Sequence, residues 1–221
     1  MKKFFKSVQL FSIMLAAGAS FCFTACSDSD DVEIKNPDEV TVETMFGDYQ
    51  GRVIISEANT VAREDNGQEA EGTEISATIK DNTISFTEFP IKDIVLSIVG
   101  DETQADMIVA AIGDVEYSIP YEPTLSTEKD NILMALKPEP LKLTVNIPTQ
   151  QEGDVTPALI VEVSVEAGEE GAYNVKDANV KFSITATKVM LGEGEGQQEL
   201  GDFVPTTFQF NMNQSKVAHH L

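Results

Sequence analysis

The sequence predicts one mainly β domain, built either as a closed antiparallel barrel or as a two-layer sandwich, with two short helices after the third strand. Apolar and polar residues alternate through most of the chain after residue 47, which is typical of strands that have one solvated face. Helical spacing occurs in only one region, directly after Pro90. Clusters of glycine and proline separate the alternating stretches, and roughly nine strands result from this division.

The first 25 residues have the organisation of a bacterial secretory signal peptide. Lys2, Lys3 and Lys6 form a basic start, and an apolar run from Val8 to Phe23 follows. The acidic residues after this run include no basic stop-transfer flank, so we expect cleavage and not a transmembrane helix. An ordinary signal peptide and a lipoprotein signal both fit these features.

The four residues Phe23-Thr24-Ala25-Cys26 resemble the lipobox of bacterial lipoproteins. That resemblance implies that the signal is cut before Cys26 and that the thiol of Cys26 carries the lipid. Several acyl chains on one cysteine hold a protein stably on a bilayer. We therefore expect a protein that is anchored to a membrane without spanning it.

The residues after Cys26 are predicted to form an acidic, flexible tether over 26–40. Clustered like charges with few apolar groups do not fold alone. The run Ser27-Asp28-Ser29-Asp30-Asp31 also resembles the signal that exports Bacteroidetes lipoproteins to the cell surface. The predicted location is the outer membrane, at the cell surface, with the periplasmic face as the alternative.

The domain itself is predicted to occupy residues 41–221. A short helical turn over Thr41–Phe46 precedes a glycine-flanked turn, Gly47-Asp48-Tyr49-Gln50-Gly51, that enters the first strand. Ile75 to Lys80 and Thr83 to Thr87 form a hairpin around Asp81-Asn82, two residues that tolerate positive φ. Residues 57–72 between these elements read as a polar loop.

Two helices are predicted where the period changes from two to about 3.6. Ile91, Ile94, Val95 and Ile98 share one helical face, and Gly100 ends that helix. A second helix carries Ala105, Ile108, Val109 and Ile112, with Asp101 or Thr103 as its N-cap and Gly113 as its stop.

Alternation then resumes and predicts strands to the end of the chain. These strands carry apolar residues at every second position. Their apolar residues are Val115, Tyr117, Ile119 and Tyr121; Ile132, Met134 and Leu136; Leu141, Leu143, Val145 and Ile147; Leu159, Val161, Val163 and Val165; Val180, Phe182, Ile184 and Ala186; and Phe208, Phe210 and Met212.

Charge and cysteine content restrict the partners. Fifteen basic residues less the three signal lysines leave 12 against 37 acidic ones, a formal charge of −25. This charge argues against nucleic acid as a partner, because its binding requires basic patches. Cys22 leaves with the signal and Cys26 is lipidated, so no disulfide is expected and the domain must depend on its core.

The Gly47–Gly51 opening, the Phe89-Pro90-Ile91 step into a helix and the later β run resemble small Bacteroidetes lipoproteins with calycin-like barrels of unknown function. The resemblance implies a barrel and no catalytic residue. Lipocalin-like families begin their barrel with Gly-x-Trp, and Tyr49 stands at the Trp position here.

No motif predicts catalysis, a metal or a cofactor. The two histidines, His219 and His220, lie at the C-terminus, and the acidic loops around Asp65-Asn66-Gly67 and Glu193 lack the spacing of a calcium-binding loop. Tyr117 and Tyr121 share one face of a strand, where they either line a ligand cavity or pack in the core.

Three hypotheses of function follow. The first is a lipid-anchored binding protein without catalytic activity, which takes a small apolar ligand or a partner protein. The second is a structural or assembly protein that pairs an exposed strand such as Phe208–Met212 with another chain. The third, a hydrolase that uses a carboxylate pair, has the least support, since carboxylates are abundant but no pair is distinguished by its spacing.

Overall fold

A computed structural model of the protein describes residues 39–57, 72–145 and 158–215, which all belong to one compact unit. The helices are α1 (Lys92–Val99) and α2 (Glu102–Ile112), and neither they nor the short turns of these ranges are long enough to cross a membrane. The strands are β1 (Gly47–Glu57), β2 (Thr73–Lys80), β3 (Thr83–Phe86), β4 (Tyr117–Leu125), β5 (Asn131–Leu136), β6 (Leu141–Val145), β7 (Leu159–Ala167), β8 (Gly171–Asn174), β9 (Asn179–Leu191), β10 (Gln198–Glu199) and β11 (Thr206–Gln214).

Eight of these strands close into an antiparallel barrel. Their order is β11-β1-β2-β3-β4-β5-β8-β9, and β9 pairs with β11 to complete the ring. β7 pairs with the later part of the long strand β9, β6 pairs with β7, and β10 pairs with the end of β9, so these three strands extend the sheet beyond the ring. The predicted β class is confirmed, and of its two architectures the barrel is the correct one.

The first hairpin and both helices are confirmed. Asp81 and Asn82 have φ values of 50° and 57°, as a two-residue hairpin turn with positive φ requires. The carboxylate of Asp101 accepts a hydrogen bond from the backbone N–H of Gln104, which caps α2. Gly100 ends α1 in the left-handed conformation, with φ 69°.

The barrel interior is filled by side chains. Alternate residues of every ring strand point inward and are buried, as expected of a small closed barrel. The rings of Phe182 and Phe210 are stacked with centroids 4.6 Å apart, and Phe86 lies 5.2 Å from Phe210. Phe89, which precedes α1, packs on Phe86 at 5.6 Å.

A 3₁₀ turn closes the end of the barrel where β1 begins. This turn, Val42–Met45, confirms the predicted helical turn, and Met45 is completely buried. The hydroxyl of Tyr49 donates a hydrogen bond to the backbone carbonyl of Met45, and the side-chain amide of Gln214 donates one to the carbonyl of Phe46. The two helices lie at the opposite end, between β3 and β4, with Ala105 as the buried residue of α2.

Gly51 allows the first and last strands to approach closely. The predicted turn over Gly47–Gly51 is wrong, because these residues already lie within β1. Gly51 is the register partner of Met212 in β11. A Cβ atom at residue 51 would lie 2.2 Å from the backbone oxygen of Asn211, so only glycine fits this position without movement of the strands.

The exposed edge expected at Phe208–Met212 does not exist. β11 pairs with β1 on one side and with β9 on the other, so its backbone groups are engaged in both ladders. The alternation of the sequence predicts a strand here but contains no information about how many neighbours the strand has. β11 is therefore not available for strand addition.

Candidate functional site

Both predicted cavity-lining tyrosines point into the barrel. Tyr117 is 6% exposed, and its hydroxyl donates a 2.7 Å hydrogen bond to the backbone carbonyl of Glu139. Tyr121 is 3% exposed, and its hydroxyl contacts the sulfur of Met45 at 3.6 Å. Burial raises the pKa of Tyr121 to about 12 and raises that of Tyr117 as well. Their contact with a ligand stays a prediction.

Within the described part of the chain, the interior holds no side-chain polar group that lacks a partner. Among the described residues, every buried side-chain nitrogen or oxygen atom makes a hydrogen bond. Unpaired buried polar atoms are the usual sign that a ligand completes a pocket, because leaving them unpaired costs free energy. Among the described residues, the polar side-chain atoms without a partner therefore lie on the outside of the barrel.

The outer surface of strands β11, β1 and β2 contains a concavity, which we call the outer groove. Its side chains come from outward positions of these strands, together with two residues that follow β3. Those side chains are Gln50, Arg52 and Ile54 of β1, Glu74 and Ser76 of β2, Thr87 and Glu88, and Asn211 and Asn213 of β11.

The ladder hydrogen bonds arrange the groove residues in two rows. Asn213 is the register partner of Gln50, which in turn is the partner of Ser76. Two residues further along the strands, Arg52 lies between Asn211 and Glu74 in the same way. Neighbouring strands are about 4.8 Å apart, so each row brings three side chains within reach of one small ligand.

Asn179, which begins β9 outside the groove, fixes the orientation of the two asparagines. Its side-chain Nδ2 donates to the backbone carbonyl of Met212 at 3.0 Å, which identifies this atom as the donor. The same nitrogen lies 2.9 Å from Oδ1 of Asn211 and 3.0 Å from Oδ1 of Asn213, so its two protons are shared among these three acceptors. The oxygen of each groove asparagine therefore faces Asn179, and its Nδ2 is left for the groove.

The charged groups of the groove are also available. Arg52 and Glu74 face each other in the β1–β2 ladder, yet they form no ion pair with each other or with any other described residue. Glu88 is likewise without an ion pair in the described ranges. The groove thus offers a guanidinium and amide donors along β1 and β11, and carboxylate acceptors along β2 and after β3.

The local sequence pattern does not identify these groove residues as a site. A signal existed, since the outward positions of the last strand, Gln209, Asn211 and Asn213, are all uncharged amides in a strongly acidic chain. Their meaning depends on the closure of the barrel, which brings β11 beside β1. Cys26, the predicted lipidation site, lies outside the described residues, as do Asp65-Asn66-Gly67, His219 and His220, for which no metal site is predicted. Within the described residues, no group of His, Cys, Asp or Glu is arranged to hold a metal ion.

Comparison with protein families gives one match. Residues 44–191 match a family model described as a domain of unknown function, DUF4840. The match covers about two thirds of the chain and includes strands β1 to β9, whereas β11 lies beyond it. Searches of curated proteins and of solved structures found no match.

Proposed function

The chain belongs to the DUF4840 family, and on that premise we propose that it is a non-enzymatic binding protein, held at the cell surface by a lipid on Cys26. The ligand occupies the outer groove. The barrel acts as a rigid support that holds side chains of three strands in fixed positions.

The observation that carries this proposal is the contrast between the inside and the outside of the barrel. Inside, aromatic rings pack at centroid distances of 4.6 to 6.5 Å, and the polar atoms of the described residues are paired. Outside, Arg52 and the Nδ2 groups of Asn211 and Asn213 are aligned and without described partners. Rigid placement of polar groups that lack partners is what a specific binding site requires.

The ligand that we propose is polar, in contrast to the apolar ligand that the sequence suggested. An apolar ligand inside the barrel would have to displace packed rings such as Phe89 and Phe210, and the lost packing would offset much of the gain from burial. The groove offers Ile54, 37% exposed, as its exposed apolar side chain. Hydrogen bonds and charge are therefore the main source of affinity.

The proposed location follows from the lipobox and the acidic run after it. In this proposal a lipid on Cys26 holds the protein at the membrane, and twelve residues of sequence lie between Cys26 and Glu39, the first described residue. The formal charge of −25 that remains after removal of the signal favours solubility outside the cell. The proposed partners are the membrane, through this lipid, and an extracellular polar ligand.

Assembly through strand addition has weaker support. β6 pairs with β7 alone among the described strands, but it has only five residues, and α2 lies beside it. Short edges that are covered by another element are typical of protected strands. The assembly hypothesis therefore has no suitable long edge within the described residues.

A blocking substitution tests the groove. Ser76→Trp places a large ring in the groove, and Ser118→Trp places the same ring on the exposed outer face of β4 as a control. The chain from Ser27 onward would be incubated with the low-mass fraction of the culture medium and measured by native mass spectrometry. We expect the wild type and Ser118→Trp to show the added mass of a bound ligand, and Ser76→Trp to show none. Equal retention by both variants, or no bound mass on any, would refute the proposed function.

A further inference from the structure

We propose that the outer groove binds a zwitterionic ligand, an amino acid or a short peptide, whose carboxylate lies on the β1–β11 side and whose ammonium group lies on the β2 side. This inference rests on the proposed function and names the class of its ligand. It follows from the arrangement of donors and acceptors across the groove.

The β1–β11 side of the groove presents donors. Asn179 holds Oδ1 of both Asn211 and Asn213, at 2.9 and 3.0 Å, so the free amide group on each is the Nδ2 donor. Arg52 is the register partner of Asn211 and contributes only donors. A planar guanidinium beside two amide N–H groups matches a carboxylate, which accepts two parallel hydrogen bonds from arginine.

The opposite side of the groove presents acceptors. Glu74 is the register partner of Arg52 across the β1–β2 ladder, and Glu88 follows β3. Both carboxylates are exposed and form no ion pair within the described residues. The ammonium group of a ligand placed here lies close to the carboxylate of Glu74 or Glu88. The carboxylate of the same ligand remains within reach of Arg52, one strand away.

The charge of the whole protein excludes the simpler ligand classes. The chain without its signal has a formal charge of −25 and repels a polyanion at distances up to about a Debye length, roughly 8 Å at physiological salt. A purely cationic ligand would pair with Glu74, but it has no acceptor group for the hydrogen bonds that Arg52 and the amide donors offer. A zwitterion satisfies both sides and carries no net charge into the groove.

Alanylalanine and its two blocked forms are the probes. The free dipeptide carries both charges, the N-acetyl form only the carboxylate, and the C-amidated form only the ammonium group. Binding to the chain from Ser27 onward, which retains every described residue, would be followed by backbone amide shifts in NMR spectra. We expect shifts of β1, β2 and β11 residues with the free dipeptide, and binding weaker by about tenfold or more for each blocked form.

Two variants separate recognition from a general effect of charge. Arg52→Ala removes the guanidinium from the groove, and Lys181→Ala removes one positive charge from the outer face of β9, beside Asn211 but outside the groove. We expect about tenfold weaker dipeptide binding for Arg52→Ala and unchanged binding for Lys181→Ala. Equal binding by wild type and Arg52→Ala would overturn the proposal.

Asn179 is a positioning residue with its own test. Asn179→Asp replaces the donating amide by a carboxylate that only accepts, so Asn211 and Asn213 must turn their Nδ2 groups toward residue 179 and their oxygens toward the groove. We expect this variant to lose affinity for the free dipeptide and, because its carboxylate cannot donate to the Met212 carbonyl, to melt at a lower temperature than wild type while remaining folded in the binding assay. Unchanged affinity would contradict the assigned orientation of the amides.

The two proposals fail in different ways. If no dipeptide form binds while Ser76→Trp still abolishes the bound mass from culture medium, the ligand class is wrong and the groove remains the binding site. If the blocked dipeptides bind as well as the free one, the zwitterion inference is also wrong. If the groove variants change nothing in either experiment, both proposals are wrong.

Discussion

The hydroxyl of Tyr49 donates a 2.6 Å hydrogen bond to the backbone carbonyl oxygen of Met45, and both residues are at most 1% exposed. This bond attaches the closing 3₁₀ turn to the first strand of the barrel. Tyr49→Phe would leave the carbonyl buried without that partner, so we expect the free energy of unfolding to fall by about 1–3 kcal/mol. Urea denaturation followed by circular dichroism measures the change.

Tyr121→Phe is the matched control for this prediction. The hydroxyl of Tyr121 contacts the same residue, but through the sulfur of Met45 at 3.6 Å, and thioether sulfur is a weak acceptor. We expect a smaller loss of stability than for Tyr49→Phe. If Tyr49→Phe and Tyr121→Phe lower the free energy of unfolding equally, the hydrogen bond to the Met45 carbonyl is not the interaction that holds the 3₁₀ turn in place.

Alkaline pH should unfold the protein through its tyrosines. All four tyrosines are buried, and burial raises the pKa of Tyr121 from 10.0 to about 12 and raises those of Tyr49, Tyr117 and Tyr173. The folded state therefore keeps protons that the unfolded state releases, so the contribution of the tyrosines to stability is constant below about pH 10 and is lost as pH rises toward 12 and above.

Tyrosinate absorbance and circular dichroism during a pH titration check this effect. We expect tyrosinate to form together with the loss of structure, at a pH above 10, whereas in urea the tyrosines titrate near their ordinary pKa of about 10. A tyrosinate signal that rises near pH 10 while the fold is intact would show that the tyrosines are accessible.

Gly51→Ala should be strongly destabilising. The added Cβ would lie 2.2 Å from the backbone oxygen of Asn211 and 2.5 Å from Cα of Met212, so the β1–β11 ladder must open to admit it. We expect a loss of about 1–3 kcal/mol, the usual range for overpacking. Gly201→Ala, where a Cβ has no neighbour within 4 Å, is the control in the same thermal melting experiment and should behave like wild type.

Phe210→Ala should create a cavity in the centre of the barrel. The ring of Phe210 lies 4.6 Å from that of Phe182 and 5.2 Å from that of Phe86, measured between centroids. We expect a loss of about 3–5 kcal/mol in the free energy of unfolding. Ile54→Ala, on the outer face of β1, should cost far less in the same chemical denaturation series, and a small cost for Phe210→Ala would indicate a loosely filled interior.

Cys26→Ser tests the anchor. Without the thiol no lipid can be attached, so we expect the variant to move from the membrane fraction to the soluble fraction, while wild type stays with membranes. Protease treatment of intact cells then distinguishes the two faces of the outer membrane. A Cys26→Ser variant that remains in the membrane fraction would rule out the lipid as the anchor.

Local pattern predicted much of the fold because the relevant signals lie close together in the chain. The turn at Asp81-Asn82, the cap at Asp101 and the stop at Gly100 each depend on backbone preferences of a few residues. β8 was missed because its four residues, Gly171–Asn174, are too few to show alternation and follow a glycine-rich loop.

The closure of the barrel and the outer groove depend on pairing between distant residues. Gln50 and Asn213 are register partners across 163 positions of sequence, which no local window detects. The orientation of the groove asparagines depends further on Asn179, which reaches them across the β9–β11 ladder. Such a site is visible only once strand order and register are known.

The seam between β1 and β11 also affects when the barrel can form. β11 is the last described strand, and it pairs with both β1 and β9. A chain that emerges from its amino terminus therefore cannot complete the ring until residues 206–214 have arrived. Because non-local pairing of this kind is slow, the incomplete chain has no closed ring to fold into, and folding of the barrel is completed only after this strand is present.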